Sequence, residues 1–119
     1  HDSHHIVVVG TNDEDMKAAV AELAAMGGGQ VVVKRGKVLA ALPLPIAGLM
    51  SDRPLSEVHR LSQELKKAAK SLGTKLPDPF MTLSFLALPV IPALKITDLG
   101  LVDVRQFKIV PLFGGDNDG

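Results

Sequence analysis

Short runs of β-branched residues alternate along this chain with longer segments of helical periodicity. Ile6–Val9 is closed by Gly10, and the runs Gln30–Val33 and Val38–Leu42 flank a turn with Gly36 near its tip. Runs of this length are too short for a stable helix and are typical of strands. The pattern predicts a buried central strand at Ile6–Val9 and a hairpin formed by the other two runs.

Two segments have the apolar spacing of amphipathic helices. The first spans about residues 12–26, starts with a capping asparagine and an acidic first turn, and ends at Gly27–Gly29. The second follows Ser51 or Asp52, either of which can act as N-cap, and ends at Gly73. Its apolar stripe consists of Leu55, Val58, Leu61, Leu65, Ala68 and Leu72.

The remaining segments are less regular. Two prolines and a glycine interrupt Pro43–Met50, which predicts an irregular, largely buried connection. Phe80–Leu88 fits a short helix or a strand, and Phe107–Phe113 predicts a last strand. Together the elements predict one α+β domain over residues 1–113, with a mixed sheet, two main helices and the order β-α-β-β-…-α-…-β, followed by a frayed tail at 114–119.

Charge and composition restrict the partners. Thirteen basic residues balance thirteen acidic ones, aromatic residues make up 3% of the chain, and there is no cysteine. The balanced charge and the few aromatic residues argue against a nucleic-acid partner. The absence of cysteine argues against thiolate chemistry and suits a reducing cytoplasm. Because no apolar run reaches the roughly 20 residues of a spanning helix, we expect a soluble protein with no membrane partner. The start at His1, without methionine and directly before a strand-like run, predicts a cut from a longer polypeptide.

Two groups of polar residues are candidates for a functional site. His1, Asp2, Ser3 and His4 form a loop with potential metal ligands, which either leads into the first strand or reaches the site of another domain. Ser51-Asp52 follows the stiff apolar connection, where the pair either caps a helix or projects into a cleft. A frayed terminus lacks the rigid support that a metal site needs, so the sequence predicts no metal-ligating residues of its own.

Motifs for self-contained catalysis are missing from the sequence. Asp13–Asp15 would repel a phosphate at the start of the first helix, and Gly27–Gly29 lacks the spacing of a dinucleotide fingerprint. Ser84 has no nucleophile-elbow context, and there is no HxH, HExxH or Cys/His/Asp set. We therefore predict no catalytic residues in this chain.

Several stretches resemble one known family when they are read in order. His1–Met16, Gly27–Gly29, Leu42–Asp52 and Pro77–Pro92 resemble successive blocks of the C-terminal domain of bacterial adenine deaminases, which belong to the metal-dependent amidohydrolase superfamily. The match covers nearly the whole chain, and the joint order is more specific than any single block. One departure is His5, which stands where the family pattern leads us to expect Asn.

The resemblance implies a parent enzyme that hydrolyses adenine to hypoxanthine and ammonia. A metal-bound hydroxide would act in a separate (β/α)-barrel domain, with manganese or iron as the expected metal and no cofactor in this chain. The barrel of the same polypeptide is the expected partner, with a homo-oligomer left open. Leu42–Met50, ending in Ser51-Asp52, would pack on the barrel and wall its mouth, with the His1–His4 loop beside it.

Two other functions remain open at this point. One is a stand-alone module for binding purine or for oligomerisation, and the other is a self-contained metalloenzyme that uses the cluster at His1.

Overall fold

A computed structural model describes residues 5–113. In that range the chain forms three helices and five strands, so the predicted α+β class is confirmed. In chain order they are α1 (Asp13–Met26), β1 (Gly29–Lys34), β2 (Lys37–Pro43), α2 (Leu55–Ser71), α3 (Pro79–Leu86), β3 (Leu94–Thr97), β4 (Gly100–Asp103) and β5 (Lys108–Val110).

The strands of the described residues form two sheets instead of the single mixed sheet expected from the sequence. One is the β1–β2 hairpin and the other has the order β3-β4-β5, and all pairings are antiparallel. The predicted central strand at Ile6–Val9 is wrong, because this segment is irregular and mostly exposed. A β-branched run becomes a strand only when a neighbouring strand pairs with its backbone, and no described strand does so here.

The chain divides into two compact units, and the division falls inside α3, between Phe80 and Met81. Among the described residues, the hairpin unit comprises residues 8–80 and the three-stranded unit comprises residues 5–7 and 81–113. Each unit has its own sheet and is described separately below.

Helix α1 begins and ends where the sequence predicts. The Asn12 side chain accepts a 2.8 Å hydrogen bond from the backbone N–H of Asp15, which satisfies one of the free donors of the first turn. Gly27 ends the helix in the left-handed conformation, with φ of 75°. Capping at both ends thus fixes the length of α1 before any packing is considered.

The core of the hairpin unit lies where α2 packs on the hairpin. Val32 of β1, Leu42 of β2 and Leu65 of α2 form its buried cluster, and Leu65 is fully buried. The middle of the predicted stripe on α2 is confirmed, but Leu55 and Leu72 at its ends are exposed. The partly buried residues packed on this cluster are Ala40, Leu44, Val58, Leu61, Ala68, Ala69 and Phe80.

The hairpin contains a β-bulge. Val32 pairs with Ala40 and Val33 with Val38, so Leu39 is an extra residue on β2 without a direct partner. Such an extra residue bends the strand and increases its twist.

The glycine run after α1 allows two loops to approach each other closely. Gly28 has φ of 109°, and a Cβ added to it would lie 2.5 Å from the Cα of Gly48. The carbonyl of Gly28 also accepts a 3.1 Å hydrogen bond from the N–H of Leu44. The run therefore does more than end a helix, since it seats the connection that follows β2.

The three-stranded unit has a smaller interior. Its buried residues are Ala87, Val104 and the single charged residue Lys95. The segment that the sequence left open between helix and strand is helix α3. The last strand is shorter than predicted because Phe107 has a positive φ of 52° and Pro111 lacks the N–H needed to continue the ladder.

Among residues 5–113, no helix is both long enough and apolar enough to cross a membrane.

Candidate functional site

Four of the six candidate site residues, His1, Asp2, Ser3 and His4, lie outside the described residues, as does the predicted tail at 114–119. Their proposed role beside a neighbouring domain stays a prediction. Ser51 and Asp52 lie within the described residues, at the end of the connection between β2 and α2.

The connection before Ser51 is a tight loop. Ile46 and Met50 exchange backbone hydrogen bonds of 3.1 Å in both directions, which closes a ring of five residues. Ala47 and Gly48 turn the chain with φ values of 57° and 73°. The predicted irregular course is confirmed, but the predicted burial is wrong, since the side chains of Ile46 and Met50 are exposed at the surface of the unit.

Neither Ser51 nor Asp52 caps α2, which corrects the expectation from the sequence. The N-cap is Pro54, without a side-chain capping bond. Ser51 Oγ instead accepts a 3.1 Å hydrogen bond from the N–H of Arg53 and so closes a local turn. Arg53 Nη1 then donates to Glu57 Oε1 at 2.6 Å, an exposed pair one helical turn apart.

Asp52 is exposed, and its carboxylate has no hydrogen bond or ion pair to any residue between 5 and 113. A free carboxylate at the end of an ordered apolar loop can accept hydrogen bonds from a group outside this chain. Loop 44–52 therefore exposes two apolar side chains, Ile46 and Met50, close in sequence to the carboxylate of Asp52, which is unpaired within residues 5–113.

Asp15 is a residue of structural importance that sequence reasoning missed. Its carboxylate accepts hydrogen bonds from the backbone N–H groups of Gly36 at 2.6 Å and Arg35 at 3.0 Å, and from Asn12 Nδ2 at 3.1 Å. The bonds from Gly36, Asn12 and Arg35, in that order of effect, lower the pKa of Asp15 below its ordinary value of 3.8. Asp15 thereby ties the hairpin turn to the start of α1.

The described residues do not fit a metal ion. His5 Nε2 lies 3.5 Å from Asp98 Oδ1, but no group of three His, Cys, Asp or Glu side chains converges within residues 5–113. A catalytic or structural zinc site takes three or four such ligands. No reaction step is therefore assigned to a metal held by these residues.

Both units carry large apolar side chains that face solvent. Scattered exposed apolar side chains are normal in a monomer, whereas a large contiguous apolar patch marks an interaction surface. The most exposed are Val9, Met50 and Leu55 in the hairpin unit and Val90, Leu99, Phe107, Leu112 and Phe113 in the three-stranded unit.

Residues 5–113 thus form an α+β domain with many exposed apolar side chains. They contain no group of three His, Cys, Asp or Glu side chains that could hold a metal ion. The chain belongs to the adenine deaminase C-terminal domain family, whose family model matches residues 1–108. The resemblance read from the sequence is thus confirmed.

Individual relatives agree with the family model. The chain is 62% identical over 113 residues to an adenine deaminase of Desulfatibacillum aliphaticivorans, covering 95% of this chain and 20% of the relative. It is 59% identical to adenine deaminase 2 of Carboxydothermus hydrogenoformans, covering 94% of this chain and 20% of that protein. For the adenine deaminase of Methanothrix thermoacetophila the identity is 58%, with coverage of 95% and 20%. The chain therefore spans about one fifth of the length of these curated relatives.

Proposed function

We propose that this chain is the non-catalytic C-terminal domain of an enzyme that hydrolyses adenine to hypoxanthine and ammonia. One observation carries the proposal: relatives named adenine deaminase match 95% of this chain, yet the match is only 20% of their length. Most of such an enzyme therefore lies outside residues 1–119. The absence of cysteine suits a reducing cytoplasm as its compartment.

The metal chemistry belongs to a separate barrel domain in this proposal. Manganese or iron is the metal expected in that barrel, where it would supply Lewis-acid activation of water. The residues of this chain contribute packing and position instead, and a homo-oligomer formed through the same domains is compatible with that role.

Loop 44–52 is the proposed contact with the barrel. Its exposed apolar residues Ile46 and Met50 supply area for packing, and the free carboxylate of Asp52 supplies a polar contact at its end. With Ser51 and the loop His1–His4, this segment would wall the mouth of the catalytic site.

A first test replaces Ser51, Asp52 and His4 by alanine in the longer enzyme. If the loop walls the mouth, the variant loses part of the substrate positioning, so KM rises or kcat falls by roughly tenfold, as expected when positioning contacts are lost. The matched control is Ser56→Ala with His59→Ala, both exposed on α2. Unchanged KM and kcat in a folded triple variant would contradict the proposed contact.

A second test uses calorimetry on this chain alone. We expect no heat of binding for adenine and no release of ammonia, because the proposed site needs the barrel. A saturable heat of adenine binding would instead identify the chain as a purine-binding module. The similarity to one fifth of each adenine deaminase does not favour that alternative.

A further inference from the structure

Lys95 is the one charged residue that is buried among residues 5–113, with 9% of its surface exposed. Its ammonium lies 3.1 Å from the carbonyl oxygen of Leu94 and 3.5 Å from that of Pro92. An ammonium has three N–H donors, so these two carbonyls leave at least one without an acceptor among residues 5–113. Burial of an ammonium is unfavourable unless an anion compensates for the lost hydration.

No carboxylate of the described part of the three-stranded unit supplies this compensation. The only two are Asp98 and Asp103. Asp98 Oδ1 faces His5 at 3.5 Å. Asp103 accepts hydrogen bonds from the backbone N–H groups of Arg105 and Gln106 and from the Gln106 side chain.

Strand register separates Asp103 from Lys95 as well. Asp103 pairs with Leu94, whereas Lys95 pairs with Val102. Because neighbouring residues of a strand point to opposite faces, the side chain of Asp103 lies on the face opposite Lys95. The charge of Lys95 therefore has no counterion among residues 5–113.

Lys95 lines an open cleft with a volume of about 380 Å³. The other lining residues are Thr82, Phe85, Leu86 and Ile91. Phe85 and Ile91 remain 44% and 37% exposed, so apolar surface surrounds the single cation. Such a cleft suits a carboxylate on a short aliphatic stem, which can contact the apolar walls and pair with the ammonium at once.

We propose that Lys95 binds the carboxylate of an aspartate or glutamate from the part of the polypeptide outside this chain. Two observations select that occupant: the buried cation lacks an anion among residues 5–113, and this chain is only 20% of the length of its relatives. The inference rests on the proposed function, because it requires a longer polypeptide that packs on the three-stranded unit.

Zero-length cross-linking of the longer enzyme tests the proposal. A carbodiimide joins an amine to a carboxylate only when the two are in contact, and peptide mass spectrometry identifies the resulting amide. We expect an amide between Lys95 and an aspartate or glutamate outside residues 1–119. The ion pair between Lys66 Nζ and Asp78 Oδ2, 2.6 Å apart in the hairpin unit, serves as the positive control.

The substitution Lys95→Met keeps the length of the side chain and removes the amine, so it should abolish this cross-link and leave the Lys66–Asp78 amide intact. A link from Lys95 to an acid within the chain, such as Asp2, would overturn the proposal. Absence of any Lys95 amide, while the control amide forms, would overturn it too.

The same experiment separates this failure from failure of the proposed function. If other lysines of this chain link to the rest of the enzyme and Lys95 does not, only the assignment of Lys95 is wrong. If no lysine of this chain links to the rest of the enzyme, the proposed packing of the domain is wrong as well.

Discussion

The two units differ in how their sheets are covered. In the hairpin unit, helix α2 packs on the sheet, and Val32, Leu42 and the fully buried Leu65 form a cluster with residues from three elements. In the three-stranded unit, the buried residues are Ala87, Val104 and a lysine, and strand residues such as Ile96 are 60% exposed. The hairpin unit thus has an aliphatic core of its own, whereas large apolar side chains of the three-stranded unit are exposed on its strands.

In the proposed enzyme, this difference would suit separate roles for the two units. The hairpin unit has a core of its own, and backbone hydrogen bonds between Ile46 and Met50 order loop 44–52. A unit with apolar strand residues at the surface gains stability when another surface covers it. The three-stranded unit is therefore the better candidate for the main packing surface, and substitutions in the two units should have unequal effects on this chain alone.

The largest effect is expected from Leu65→Ala in the hairpin unit. Loss of a fully buried leucine side chain leaves a cavity and should lower the free energy of unfolding by about 3 kcal/mol. Urea unfolding followed by circular dichroism measures the change. The matched control is Leu55→Ala in the same helix, where the side chain is 84% exposed and the expected change stays within about 0.5 kcal/mol. Equal losses of unfolding free energy at Leu65 and Leu55 would contradict the placement of the core of the hairpin unit at Leu65.

Gly28→Ala should have the next largest effect. The new Cβ would lie 2.5 Å from the Cα of Gly48, on a backbone with φ of 109°, so both clash and strain oppose it. We expect a loss of about 2 kcal/mol, since overpacking and a positive φ each disfavour the variant. Gly36→Ala, at φ of 70° with no atom near the added Cβ, isolates the contribution of strain. A loss at Gly36 as large as at Gly28 would show that the contact with Gly48 is unimportant.

Asp15→Asn should make the hairpin unit less sensitive to acid. Folding lowers the pKa of Asp15, so its stabilising contribution is present above its ordinary value of 3.8 and is lost as the pH falls through the folded pKa. The variant has already lost that contribution at neutral pH, so its melting temperature should start lower and fall less on acidification. Asp13→Asn, in the same first turn but without a bond to the hairpin, is the control. If the melting temperatures of wild type and Asp15→Asn fell equally on acidification, the stabilising role of ionised Asp15 would be contradicted.

The smallest effect is expected in the three-stranded unit. Ile96→Ser on β3 should change the unfolding free energy of this chain by less than about 0.5 kcal/mol, because the side chain is 60% exposed. In the longer enzyme the same substitution should be clearly destabilising if another domain covers the sheet. Thermal unfolding measures the stability change of Ile96→Ser in this chain and in the longer enzyme. Equal changes in the two would contradict the proposal that this sheet packs against another domain.

Local signals in the sequence predicted most of the hairpin unit. The capping asparagine, the glycine at Gly27 and the turn at Gly36 act within a few residues, so α1, β1 and β2 were recognisable. The strand predicted at Ile6–Val9 failed because a strand depends on a distant partner, and sequence alone does not specify one. The acidic first turn of α1 was recognised, but the bonds of Asp15 to Arg35 and Gly36 join residues 20 and 21 positions apart.

The candidate site shows the same limit. Ser51 is a plausible N-cap by residue type. Its hydroxyl instead accepts a hydrogen bond from the N–H of Arg53, two residues ahead, and this local bond forms a turn before α2 begins. The burial of Lys95 had no signal in the sequence, because lysine within a strand usually points to solvent.

The β-bulge at Leu39 also affects how two copies of this chain could meet. An edge strand with regular geometry is a template on which another chain can add its own strand. The extra residue interrupts that template in the middle of β2, and Lys34 and Lys37 place positive charge at the end of the hairpin. The bulge and these charges therefore disfavour edge-to-edge pairing of two hairpins through β2.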